Sequence, residues 1–136
     1  MRLGRASALG VLATTHLADH AESTPLQWRE VADALGVPAD YLLKILQQLV
    51  RAGVLSSTRG PAGGFRLQRP PAKITLLTIV EAIDGPLDGA ITVADDVKGK
   101  GKAKRGIKSA YREAASHARK LLTETTLSEL MDNSND

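Results

Sequence analysis

The sequence of 136 residues contains no cysteine. This absence excludes disulfide bonds, thiol catalysis and metal clusters that are held by thiolate ligands. The sequence also has no apolar run of membrane-spanning length, and its first residues, Met1 to Gly4, lack the hydrophobic core of a signal peptide. We therefore expect a cytoplasmic protein that does not associate with membranes.

Residue sets that are typical of catalysis are missing as well. The sequence offers no serine–histidine–aspartate set, no carboxylates that can be paired in a cleft, and no phosphate-binding loop. With 43% hydrophobic residues, the chain can form one domain with a core plus an appended helix, but it is too short for a separate catalytic domain. We expect no enzyme activity. The net charge of +3 suits a polyanionic partner without requiring one.

The organising stretch of the chain runs from Asp40 to Pro70 and begins with an amphipathic pattern. Apolar residues recur at helical spacing at Tyr41, Leu42, Ile45, Leu46, Leu49 and Val50. The opposite face carries the polar residues Asp40, Lys44, Gln47, Gln48 and Arg51. This periodicity predicts a helix from Ala39 to Ala52 that ends at Gly53.

Two short strand-like runs follow this helix. Val54 to Thr58 and Phe65 to Leu67 flank the glycine-rich segment Arg59 to Gly64, which predicts a hairpin. A polar-faced helix followed by a basic hairpin is typical of a winged helix-turn-helix, in which the helix enters the DNA major groove and the wing contacts the backbone. The candidate DNA contacts on the helix are Asp40, Lys44, Gln47 and Gln48. Those on the wing are Thr58, Arg59, Gly60, Gly63, Gly64 and Arg66.

The segments before this helix predict the rest of a helix-turn-helix. Leu3 to His20 has a helical pattern, and Arg2 and Arg5 at its start could either reach DNA phosphates or remain solvated. Gln27 to Leu35 predicts a second helix, which a tight turn joins to the third. Trp28 is the only tryptophan. Its position favours a core side chain over a platform for base stacking.

The segments after the hairpin predict two further units. Thr75 has the position of an N-cap for a helix from Leu76 to Asp84. Residues 88–106 show no helical or strand period, and lysine and arginine alternate with small residues over 98–105. This pattern predicts a flexible basic loop that contacts DNA beside the operator, contacts an acidic protein, or remains a solvated linker.

From Ile107 the helical pattern returns as a narrow apolar stripe with charged flanks. The stripe consists of Ile107, Tyr111, Ala114, Ala118, Leu121 and Leu122. A winged domain that is already complete offers it no partner, so we expect this helix to dimerise with a second copy. Thr126 and Glu129 have capping-box spacing for a last helix from Leu127 to Met131.

At the residues from Gly53 to Leu87 the chain resembles a known family. The sequence GVLSSTRGPAGGFRLQRPPAKITLLTIVEAIDGPL is similar to the signature of the Rrf-two family of bacterial winged-helix transcriptional regulators (IscR/NsrR/CymR-like). The resemblance extends from Met1 to about Leu87 and resumes from Ile107 to Met131. It implies a DNA-binding domain over residues 1–87, and a dimerisation helix followed by a short C-terminal helix over 107–131.

The sequence departs from this family at three places. Pro38 stands where the family's recognition helix opens with serine, and Ala62 stands where the wing often carries lysine. The loop after Pro86 lacks the three cysteines that bind an iron–sulfur cluster in some members. The resemblance therefore implies the DNA-binding scaffold and the dimer helix without the cluster. Zinc or copper could bind to His16 and His20, with His117 joining them across a dimer. Packed or solvated histidines are the simpler interpretation. We therefore predict no cofactor and no metal.

Together these patterns predict a mainly helical fold with a small β-hairpin wing and a long C-terminal dimerisation helix. We expect a homodimeric transcriptional regulator, in particular a repressor, that binds double-stranded operator DNA and responds to an unidentified small-molecule or protein effector, if to any. The alternative is a winged-helix adaptor that binds a protein or small molecule instead of DNA.

Overall fold

The computed structural model describes residues 4–89 and 97–132. The helices are α1 (Arg5–Asp19), α2 (Trp28–Leu35), α3 (Ala39–Arg51), α4 (Leu76–Asp84), α5 (Gly101–Glu124) and α6 (Leu127–Asp132). The strands are β1 (Leu55–Thr58) and β2 (Gly64–Leu67), and short 3₁₀ turns occur at Ala21–Ser23 and Pro71–Lys73. The predicted fold class, mainly helical with a β-hairpin and a long C-terminal helix, is confirmed.

The core lies between α1, α2, α3 and α4. Leu42, Leu46 and Leu49 of α3 are fully buried, as the apolar period predicts, and they lie in one cluster with Leu17 of α1 and Ile79 of α4. Burial of this one face holds α3 against the domain and leaves its polar face in solvent.

The hairpin has the register Leu55↔Leu67, Ser56↔Arg66, Ser57↔Phe65 and Thr58↔Gly64. A third segment supports it, because Leu26 and Phe65 exchange both backbone hydrogen bonds, at 3.0 and 2.8 Å. Leu26 lies two residues before the first residue of α2. The hairpin is therefore attached to the start of α2 as well as to the end of α3.

Arg69 fixes the junction between α3 and the hairpin. Its guanidinium donates to the carbonyl of Gly53 from Nε at 3.1 Å and to the carbonyl of Ala52 from Nη2 at 3.4 Å. These carbonyls belong to the helix terminus, where backbone acceptors lack intrahelical partners. Arg69 thus links the segment that follows β2 to the C-terminal end of α3.

The start of α4 is capped as predicted. The hydroxyl of Thr75 accepts a hydrogen bond from the backbone N–H of Thr78 at 3.2 Å. The predicted bounds of this helix, Leu76 and Asp84, are also the observed ones.

Helix α5 begins at Gly101, so the prediction of a loop as far as Gly106 is wrong for residues 101–106. Lysine, alanine and arginine are good helix formers, and extending an existing helix by one residue is far easier than starting a new one. The backbone N–H of Lys104 donates to the carbonyl of Lys100 at 3.1 Å in this first turn. Residues 90–96 of the predicted loop lie outside the described residues.

Helix α6 packs into the winged domain. Leu127 is fully buried in the same core cluster as α1 and α3. Its N–H donates to the carbonyl of Ile74 at 2.8 Å, and the N–H of Leu76 donates to the carbonyl of Thr125 at 2.9 Å. The chain therefore leaves the winged domain along α5 and returns to it. None of the helices within residues 4–89 and 97–132 is long and apolar enough to cross a membrane.

Candidate nucleic-acid interface

The outer face of α3 presents the predicted recognition residues to solvent. Asp40, Lys44 and Gln47 are exposed, and Gln48 is half-buried. Lys44, Gln47 and Gln48 line one groove of about 410 Å³. The structure thus brings three of the four predicted contacts together, with Asp40 on the first turn of the same helix.

Tyr41 lines the same groove, although the apolar period groups it with the buried residues of α3. Its side chain is 38% exposed and lies beside Lys44 and Gln47. A tyrosine has an apolar ring and a polar tip, so the apolar period alone cannot assign it to the core. Its position at the edge of the apolar stripe makes it a further candidate contact with DNA.

Pro38 occupies the N-cap position of α3 and makes no side-chain capping bond. Its fixed backbone nevertheless suits a residue that precedes a helix, and its carbonyl accepts the N–H of Leu42 at 3.1 Å. The helix is therefore held by backbone bonds and by its buried face, without the serine cap that the family resemblance would imply.

The wing, residues 58–66, exposes two basic side chains. Arg59 and Arg66 are exposed, as are Thr58 and Gly60. Among the described residues neither arginine forms a salt bridge with a carboxylate. Free guanidinium groups on an exposed hairpin suit contact with phosphates or insertion into a minor groove.

Gly63 and Gly64 hold the shape of the wing. Gly63 is buried, and a Cβ there would lie 2.0 Å from the carbonyl oxygen of Thr58. Gly64 has φ +148°, and a Cβ would lie 2.4 Å from the carbonyl oxygen of Leu26. Both positions require glycine for tight backbone packing, and the lack of a side chain also lets the backbone of the wing approach DNA closely.

The start of α1 lies near the recognition helix. Ala6, the neighbour of Arg5, lines the same groove as Lys44 and Gln48, and Arg5 itself is exposed. Arg2, the other arginine predicted here, lies outside the described residues.

Helix α5 leaves most of its apolar stripe uncovered. Ile107 is 44% exposed, Tyr111 is 48% exposed and Leu121 is 64% exposed, and Ala114 is exposed as well. The other two predicted dimer residues, Ala118 and Leu122, are half-buried.

The side of α5 that adjoins this stripe is attached to the winged domain. Ala115 is buried. Arg119 forms a salt bridge with Glu81 of α4 at 2.5 Å and donates to the carbonyl of Leu87 at 3.4 Å. Glu81 also accepts the N–H of Leu87 at 2.8 Å. The helix therefore packs on its own domain through one side and exposes an apolar side next to it.

Comparison with known proteins identifies the family. The profile of Rrf2, described as "Iron-dependent Transcriptional regulator", matches residues 3–133. The chain belongs to the Rrf2 family. This membership confirms the predicted resemblance and makes the protein a DNA-binding transcriptional regulator, so the alternative of a winged-helix adaptor is not favoured.

Individual relatives agree with this assignment. The Rrf2 chain is 30% identical over 135 residues to the HTH-type transcriptional regulator IscR of Vibrio cholerae, over 96% of this chain and 75% of that protein. Its fold is similar to that of CymR (YrzC), the global cysteine regulator of B. subtilis, with TM-score 0.78, 25% identity and 99% coverage of both chains. The fold also resembles that of T. potens IscR, with TM-score 0.74 and 21% identity, over 99% of this chain and 89% of that chain.

The donor set of this Rrf2 protein does not fit an iron–sulfur cluster. Such clusters are held mainly by cysteine thiolates, and the sequence has no cysteine. No group of three or more histidine, aspartate and glutamate side chains within the described ranges could hold a metal ion. We therefore assign no step of its function to a cluster.

The predicted histidine pair packs together at the end of α1. The rings of His16 and His20 lie 4.3 Å apart between centroids, tilted by 32°. Burial and then the nearby His20 lower the pKa of His16, and Asp19 opposes them. His117 lies elsewhere, on α5, where its Nε2 atom is 3.9 Å from Oε1 of Glu113. The two rings of the pair thus pack against each other, and His117 does not join them within this chain.

Proposed function

We propose that this Rrf2 protein is a cytoplasmic, homodimeric repressor that binds an operator of two related half-sites. The observation that carries the proposal is the solvent-exposed polar face of α3 beside a wing with unpaired arginines. In this arrangement α3 reads base edges in the major groove through Lys44, Gln47 and Gln48, and the wing holds the backbone. The proposal involves no catalytic activity.

The uncovered stripe of α5 supports the homodimer. Large apolar side chains that lie together on one face of a helix in solvent are typical of an interface with another chain. Because the residues of one face recur on both copies, a two-fold axis would let the same stripe cover itself. A dimer of this kind presents two α3 helices, which requires an operator with two half-sites.

A direct test is binding of the purified protein to promoter DNA at several salt concentrations. Contacts with phosphates release counterions, so affinity should fall steeply as the salt concentration rises. DNA that is captured with the protein and sequenced should contain a two-part operator. A lack of salt-dependent DNA binding would contradict the proposal.

Variants should separate backbone contacts from base contacts. Arg59→Ala should weaken binding to all DNA sequences alike and lower the salt slope by about one unit for the lost phosphate contact. Gln47→Ala and Lys44→Ala should instead relax the preference between bases, with a loss of about 1–3 kcal/mol where a bidentate contact is removed. Titration of each variant against operator and scrambled DNA measures both effects. Unchanged affinity and salt slope for Arg59→Ala would show that the wing does not contact DNA.

We expect DNA binding without an iron–sulfur cluster. Histidine and carboxylate ligands alone rarely hold such a cluster. Protein purified under nitrogen should be colourless, and oxygen or nitric oxide should not change its operator affinity. Stoichiometric iron together with visible absorbance in the purified protein would contradict this expectation.

A further inference from the structure

A cleft of about 420 Å³ lies between the start of α2 and the wing. Two contacts join the segments on either side of it. The amide of Gln27 donates to the carbonyl of Pro61 at 3.2 Å, and Leu26 pairs with Phe65 through the backbone. We call this feature the α2–wing cleft. Its lining includes Trp28, Arg29, Leu43, Ser57, Thr58 and Arg59.

The α2–wing cleft has the chemistry of an anion site. Arg29 stands on the α2 wall and Arg59 on the wing wall, and both are exposed. No residue that lines the cleft is acidic, and the hydroxyls of Ser57 and Thr58 add neutral donors. Within the described part of the chain, Arg29 forms no salt bridge with a carboxylate. The cleft therefore carries two guanidinium groups and no carboxylate, which suits an anionic ligand.

Trp28 holds one of these guanidinium groups in place. The Cζ atom of Arg29 lies 4.2 Å from the centroid of the Trp28 ring, which is a favourable cation–π distance. The ring itself packs against the core. Stacking on a fixed ring restricts the arginine side chain before a ligand arrives, so less conformational freedom is lost on binding.

The position of the cleft identifies the anion. When α3 lies in the major groove and the wing reaches the adjacent minor groove, the DNA strand that separates these grooves must pass between α3 and the wing. Leu43 of α3 and residues 57–60 of the hairpin line the cleft from these two sides. A DNA strand carries one phosphate per about 3.4 Å along the helix axis, so a phosphate must lie close to the cleft.

We infer that the α2–wing cleft holds a backbone phosphate of the operator between Arg29 and Arg59, with Trp28 as the positioning residue for Arg29. The inference rests on the proposed function and adds the start of α2 to the DNA interface. It also gives Trp28 a function besides its packing in the core.

The experiment compares Arg29→Ala with the wild type on operator DNA over a series of salt concentrations. Arg29→Ala should lower affinity about five- to tenfold for every DNA sequence and reduce the salt slope by about 0.9. Arg112→Ala is the matched control, because it removes the same charge from an exposed position on α5, and it should leave both quantities unchanged. Thermal unfolding by circular dichroism verifies that both variants are folded.

Operators with a single methylphosphonate, which is a phosphate analogue without charge, locate the contact. Wild-type protein should lose affinity when the neutral linkage lies between the major groove of one half-site and the adjacent minor groove. Arg29→Ala should show no further loss at that one linkage. Equal losses for both proteins at every linkage would overturn the inference.

Substitutions of Trp28 test its role as a positioning residue. Trp28→Phe retains a ring and should keep most of the affinity, whereas Trp28→Leu should bind as weakly as Arg29→Ala. On the operator with the neutral linkage, Trp28→Phe and Trp28→Leu should bind with equal affinity. If Trp28 only stabilised the fold, the affinity difference between them would remain on that operator. If the wild type does not bind DNA, the proposed function is wrong; if it binds DNA but Arg29→Ala binds equally well, only the cleft assignment is wrong.

Discussion

Replacing Ile107 and Leu121 with glutamate should convert the protein from a dimer to a monomer. Both side chains are exposed, at 44% and 64%, so the substitutions do not disturb the core of the single chain. In a two-fold interface each glutamate would be buried or placed near its copy, and burial of an unpaired charge is strongly unfavourable. Light scattering measures the change of mass directly.

Operator binding should fall with the loss of the dimer. Two half-sites about 34–36 Å apart can be held together only by a linked pair of α3 helices. Loss of this linkage should lower operator affinity by about 10²–10⁴-fold, because the second half-site is then bound independently. Binding to a single half-site should change little.

A matched control adds the same charges elsewhere on α5. Ser109→Glu with Ser116→Glu places two carboxylates at exposed positions of the helix outside the predicted apolar stripe. This variant should remain dimeric, although its added negative charge should slightly lower affinity for DNA. An Ile107→Glu and Leu121→Glu protein that stays dimeric would show that the stripe is not the interface.

Gly63→Ala should distort the wing and lower both stability and DNA affinity. The new Cβ would lie 2.0 Å from the carbonyl oxygen of Thr58, far inside van der Waals contact. The turn must therefore shift, and we expect the free energy of unfolding to decrease by about 1–3 kcal/mol. Because Arg59 lies in the same turn, its approach to DNA should change too. Urea unfolding and operator titration measure the two effects.

Gly106→Ala is the corresponding control on α5. No atom lies within 4 Å of a Cβ at this position, and the residue is inside the helix. The substitution should therefore stabilise the protein, by up to about 1 kcal/mol, because alanine has a higher helix propensity than glycine. An unchanged unfolding midpoint for Gly63→Ala would contradict the assigned role of this glycine.

The sequence was sufficient to predict the elements whose signals are local. The apolar period placed Leu42, Leu46 and Leu49 in the core, and the hydroxyl at Thr75 correctly marked the start of α4. The glycine-rich turn predicted a hairpin between runs that do form β1 and β2. Each of these signals lies within a few residues of the structure that it specifies.

The features that were missed are individual side-chain contacts and residues at the borders of elements, which no sequence period specifies. The attachment of Arg69 to the end of α3 and the stacking of Arg29 on Trp28 have no periodicity to reveal them. Tyr41 follows the apolar period but lies at the edge of the buried face. The first turns of α5 were predicted as loop because glycine lowers helix propensity locally, whereas the rest of the helix extends through them.

The buried position of Leu127 has a consequence for synthesis of the protein. Chains are made from the N-terminus, and domains fold as units once their residues have emerged. The core formed by α1 to α4 is incomplete until Leu127 joins it, and α5 must be synthesised in between. On a translating ribosome, the DNA-reading domain should therefore reach its final stability only after α5 has been made. On a ribosome stalled within α5, α3 and the wing would pack on a core that still lacks Leu127.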